Sequence, residues 1–206
     1  MMKTVNAALL AALVCTSANA VLITTIQEVG PNVVVTTNGS VNLAGLFDPF
    51  DYGSPLPGIA PFVPAFLTGS SPIGTGYLGI NVNSAPWGTG SQQPADLNSG
   101  PIVGVYDFFY GYGPELIVPQ GYVSNTTLAT STAIYLGETL ATMGLVPGNY
   151  SWGWGTGLDA DSMQISIGGA AIPEPSTYIA LAGFGTLGVF LWRRHKVKAA
   201  SEATIT

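Results

Sequence analysis

The side chains able to do chemistry in the body of this chain are almost all carboxylates. Between Val21 and Ile172 there are nine, Glu28, Asp48, Asp51, Asp96, Asp107, Glu115, Glu138, Asp159 and Asp161, and no lysine, arginine or histidine accompanies them. The single cysteine, Cys15, lies in an apolar run near the start. A Ser-His-Asp triad, a thiolate nucleophile and a lysine Schiff base therefore cannot be built in this stretch. Zinc is excluded as well, because nearly all its sites need Cys or His. A surface without cations cannot neutralise phosphates, so nucleic acid is excluded as a partner and binding to anionic lipid is disfavoured.

Carboxylate chemistry survives that exclusion. A glycosidase needs two acidic groups at a set separation, and Asp48/Asp51 or Asp159/Asp161 are near neighbours in sequence. Nothing around them marks a catalytic pair, and acidic residues in Gly-rich loops mostly bond their own backbone. The expectation is a protein that is not an enzyme and needs no cofactor. Asp159-Ala160-Asp161-Ser162 offers alternating oxygen ligands, a weak calcium candidate that lacks the later Glu of a full calcium loop. Trp152 and Trp154, two apart, share one face of a strand. There they either present flat rings to sugars or fill a core, and the core is the commoner use.

These residues need a scaffold, and the text between the termini reads as β structure. Segments rich in β-branched residues or alternating in polarity run over Val21 to Glu28, Asn32 to Thr37, Ser40 to Leu46, Tyr77 to Val82, Ile102 to Tyr110, Ala133 to Leu136, Asn149 to Trp154 and Met163 to Ile167,. Gly30-Pro31 reads as a turn and Asn38-Gly39 as a hairpin. Glu138 to Met143 fits one helical turn. Asp48 to Pro72 and Asn83 to Pro101, crowded with Pro and Gly, read as long irregular loops,. The expected fold over residues 21–171 is all-β, an antiparallel β-sandwich or jelly roll.

Both ends read as addresses. Lys3, an apolar run from Val5 to Cys15 and a small-x-small ending at Ala18 and Ala20 make residues 1–20 a secretory signal peptide cleaved after Ala20,. Val14 before the cysteine argues against a lipoprotein. At the other end, Ile172-Pro173-Glu174-Pro175-Ser176-Thr177 precedes an uncharged apolar run, 178–192, which predicts a single transmembrane helix bracketed by Tyr178 and Trp192,. Arg193, Arg194, Lys196 and Lys198 stop translocation and remain in the cytoplasm,. Residues 199–206 read as a disordered tail. Pro173 and Pro175 fix their own φ and bias the preceding residues to extended geometry, so Glu174 is presented on stiff, helix-free backbone suited to a protease cleft.

Pro173-Glu174-Pro175, the Gly-rich apolar run and the basic end, over residues 172–198, resemble the sorting signal of PEP-CTERM proteins. The resemblance implies export by the general secretion machinery and recognition by an exosortase, a multi-span cysteine protease that cuts near the tripeptide. It further implies a destination at the surface or in the exopolysaccharide layer of a Gram-negative bacterium. Pro147 to Gly157 with Ala160-Asp161-Ser162 also resembles a motif in the outer domains of some of these proteins, for which no activity is assigned. An alternative reading of the outer domain is a carbohydrate-binding or adhesive module that is also sorted.

Overall fold

The chain from Val21 is rich in β-branched residues for nine positions, turns at Gly30-Pro31 and is rich in them again from Asn32,. In a computed structural model, which describes residues 21–53, 56–70, 73–82, 86–106 and 113–169, this text forms a hairpin of β1 (Val21–Val29) and β2 (Asn32–Ser40). Gly30 takes φ +61°, which an L side chain resists,. Leu22, Ile26, Val33 and Val35 point to one side and are buried, as the period of two demands,.

After a 3₁₀ turn at Leu43–Gly45 come β3 (Phe47–Asp51), β4 (Gly58–Ala60), β5 (Ala65–Thr68), β6 (Gly74–Leu78) and β7 (Asn81–Val82). There follow β8 (Gln93–Pro94), β9 (Leu97–Ser99), β10 (Val103–Tyr106), β11 (Glu115–Pro119), β12 (Thr127–Tyr135), β13 (Gly148–Trp154) and β14 (Asp161–Ile167). Two seven-stranded sheets result. The first runs β7-β13-β14-β1-β2-β12-β9 and the second β3-β6-β11-β10-β5-β4-β8. Their inner faces share one core: Leu22, Val35, Trp152 and Ile165 from the first meet Phe66, Val103, Leu116 and Val118 from the second. The Ser131 hydroxyl crosses the gap to Thr68 Oγ1 at 2.8 Å.

The all-β expectation holds, and the described residues contain no α-helix. Several local expectations are corrected. Asn38-Gly39 is no hairpin but the end of β2, opposite Ile23 and Leu22. Its glycine is required by close approach, since a Cβ there would lie 2.1 Å from the Val21 carbonyl oxygen. Ser40 to Leu46 accordingly makes no strand beyond Ser40. The stretch 48–72, expected as loop, holds β4, β5 and most of β3, because short strands between prolines lack the length to show a period. Tyr77 to Val82 is not one strand: the chain changes sheets at Gly79, φ +111°, between β6 and β7. β11 carried no sequence signal of its own because its run Leu116-Ile117-Val118 is buried on both faces and does not alternate,. Glu138 to Met143 forms turns, with one helical-type bond from the Met143 amide to the Thr139 carbonyl.

The sandwich is not wholly antiparallel. β1 pairs antiparallel with β2 on one side and parallel with β14 on the other, from Val21↔Ser162 to Ile26↔Ile167. The first and last strands therefore meet at the centre of the first sheet.

Candidate functional site

β14 carries the chain towards the C-terminal address, and polar contacts hold it at both ends. At its start, Asp161 is buried and its two oxygens accept from the Asn42 amide (Oδ2, 2.6 Å) and the Ser162 amide (Oδ1, 2.6 Å). Asn42 is a node. Its carbonyl accepts from Trp154 Nε1 at 2.8 Å, and its side-chain Oδ1 accepts from the Ala44 amide and the Ser124 hydroxyl. Burial pushes the Asp161 carboxyl up to about 6, against the opposing pull of the two amide donors,. No cation stands within the described residues to lower it.

At its finish, β14 gives way to Gly168 with φ +66°, a conformation suited to glycine,. The Gly168 amide donates to the Ile26 carbonyl at 2.9 Å, and Gln27 Nε2 donates to the Gly169 carbonyl at 2.9 Å. β1 thus grips the chain to the last described residue. Beside this exit lies an open cleft of about 480 Å³, walled by Leu140, Ala141, Leu145 and Pro147 and edged by Gln27 and Glu28. The Glu28 carboxylate accepts from the Leu140 amide at 2.8 Å, which pins the turn that forms the far wall.

The tryptophans are accounted for by packing. Trp152 and Trp154 are 1% and 2% exposed, so neither offers a ring face to a sugar from solvent. Trp152 stacks on Trp87 with centroids 5.2 Å apart and planes 16° from parallel, and Trp87 also meets Phe66 and Tyr150. The sugar-binding use of Trp152 and Trp154 is thereby corrected: alternation on β13 turns both rings inward. The calcium candidates are not brought together as a ligand set. Asp159 is exposed in a 3₁₀ turn, Gly157–Asp159, while both oxygens of Asp161 already serve backbone amides. Among the described residues no group of three or more His, Cys, Asp or Glu is placed to hold a metal ion.

The remaining sequence-predicted positions, Ala18, Ala20, Pro173, Glu174, Pro175, Arg193, Arg194, Lys196 and Lys198, lie outside the described residues, as does the apolar run 178–192. Among the described residues no helix is long and apolar enough to cross a membrane. The last described residue, Gly169, stands four residues before Pro173 in the sequence. Over residues 171–194 the sequence matches the family model for the PEP-CTERM protein-sorting motif. The chain carries a PEP-CTERM sorting motif. That motif marks an exported protein, directed to the cell surface and sorted by an exosortase. Neither a curated protein nor a solved structure matches the chain. Sequence reasoning missed the grip of Gln27 on Gly169 and the node at Asn42. Both join residues more than a hundred positions apart, and no local pattern announces them.

Proposed function

We propose that this chain is an exosortase substrate whose β-sandwich is cargo without catalytic activity of its own. After removal of residues 1–20, the 178–192 helix holds the precursor in the inner membrane with the sandwich on the periplasmic side and Arg193 and Arg194 in the cytoplasm. Cleavage near Pro173-Glu174-Pro175 then frees the sandwich for the cell surface or the exopolysaccharide matrix of a Gram-negative bacterium. The match over residues 171–194 carries this reading. Placement of charge supports it, since every arginine and every lysine but Lys3 lies beyond the apolar run,.

The decisive measurement is mass spectrometry of the mature C-terminus, in cells with and without the sorting protease. Mature protein is expected to end near Pro173-Glu174-Pro175 when the protease is present and to retain Arg193 and Arg194 when it is absent. Full-length tails on surface protein in a protease-proficient host would contradict the proposal. The same experiment with Glu174→Ala is expected to leave precursor in the membrane.

A further inference from the structure

Asp161 is a buried carboxylate in a body that has no lysine, arginine or histidine to pair it. Buried acids are rarely left without a cation. Two amides hold it, those of Asn42 and Ser162, and they use two of its roughly four lone-pair positions,. The backbone around it shows what lies within reach of the rest. Ser162 belongs to the first rung of the parallel ladder and faces Val21 one strand spacing away, about 4.8 Å,. On the other side of β1, Leu22 faces Gly39, so β2 ends beside Val21 as well. The chain then turns over the start of β1. The Asn42 amide reaches Asp161 on β14 at 2.6 Å, and the Asn42 carbonyl takes the Trp154 indole N–H on β13 at 2.8 Å. β1 lies between β2 and β14, so Asp161 and Asn42 close across the end at which β1 begins. The backbone nitrogen of Val21 stands under that closure, about one strand spacing from the carboxylate,.

We propose that removal of residues 1–20 turns this nitrogen into an α-ammonium that pairs with the Asp161 carboxylate, so that cleavage of the signal peptide completes the junction of β1, β14 and the segment after β2. The pairing rests on cleavage after Ala20 and on no placement of the residues before Val21. Hydrolysis of the Ala20–Val21 bond leaves a carboxylate on Ala20 and an amine on Val21. That amine takes up a proton at neutral pH, because α-amines ordinarily titrate at about 8. It is the only positive charge the mature body between Val21 and Ile172 can carry. While residue 20 is attached, position 21 is a neutral amide and burial holds the carboxyl up at about 6,. Of the other charged groups on the elements packed here, Glu28 stands at the far end of β1, Asp48 and Asp159 are exposed, and β2 and β13 carry none. The Tyr122 hydroxyl is bound to Val41 and Thr126, and that of Tyr150 to Val146. The consequence is a sandwich held less firmly while the signal peptide is attached than after its removal.

The test uses the mature chain recovered from the cell envelope in detergent micelles, with its N-terminus sequenced first. The Val21 amine and the Asp161 carboxyl are then titrated by NMR. In unaltered protein the amine is expected to bind its proton at least about tenfold more tightly than an ordinary α-amine, and Asp161→Asn to return it to about 8. Acetylation of the same amine alters no side chain of the sandwich and carries the test should Asp161→Asn fail to fold. It is expected to raise the proton affinity of Asp161 about tenfold or more, back to about 6,. A chain that starts at Val21 but whose amine ignores Asp161→Asn, and whose Asp161 ignores acetylation, overturns the pairing and leaves cleavage after Ala20 standing. A mature chain that starts elsewhere overturns both and leaves the exosortase reading untouched.

Discussion

Asp161 shows how much a single side chain ties together in this domain. Its carboxylate joins the start of β14 to Asn42, and Asn42 holds Trp154 and Ser124. Burial raises its folded pKa to about 6, above the value near 3.9 of an unfolded aspartate,. Between these values the folded state binds more protons than the unfolded state, so stability rises as pH falls from about 6 to about 4. Urea midpoints measured across that window should show the rise, and Asp161→Asn should flatten it. Asp161→Ala leaves the Asn42 and Ser162 amides without their acceptor and is expected to cost about 1–3 kcal/mol at neutral pH. Gly39→Ala forces a Cβ against the Val21 carbonyl at a residue with φ +117°, and is expected to cost at least about 2 kcal/mol in the same assay,. Neither role was legible in the sequence. Asp161 looked like a loop ligand because its neighbours Asp159 and Ser162 also carry oxygens, and Gly39 looked like a turn because Asn precedes it. In each case the partner is remote, and only the fold brings it near.

At the scale of elements, legibility followed length and burial. β13 and β14 were readable because seven residues alternate along each, and β1 because its nine residues are rich in β-branched side chains,. β4, β5 and β8 were not, since two to four residues between prolines and glycines hold no period. The inward turn of Trp152 and Trp154 followed from alternation once β13 was placed, but the stacking partner Trp87 sits in a segment read as loop. Trp152→Ala removes one face of that stack and opens a cavity in the shared core. The expected loss is about 3–5 kcal/mol by equilibrium denaturation. The parallel pairing of β1 with β14 was likewise beyond local patterns. Its effect is that β1 lacks one of its two neighbours until the last strand is present. A chain ending before Asp161 is therefore expected to expose Ile26 and Val35, bind a hydrophobic dye and show no cooperative thermal transition.

At the scale of the whole molecule, the body between Val21 and Ile172 is acidic and has no counter-cation among its side chains. The nine carboxylates between Val21 and Ile172 have no lysine, arginine or histidine among them to attract. Long-range electrostatics in the outer domain are therefore repulsive, and added salt screens repulsion without dissolving any ion pair between side chains. The melting temperature of the domain is expected to rise between 10 mM and 150 mM salt, where the screening length shrinks from about 30 Å to about 8 Å, and to change little above that. This behaviour follows from composition alone, and the sorting motif over residues 171–194 was legible because its signal is contiguous. The central pairing of the first and last strands has one more consequence, a mechanical one. β1 and β14 run the same way side by side, so a pull on Val21 and a pull on Gly169 act from opposite ends of the pair. Such a load slides one strand along the other and strains the rungs of the ladder together, whereas a pull across β13 and β14 peels rungs one at a time. A domain tugged between Val21 and Gly169 would yield only at high force.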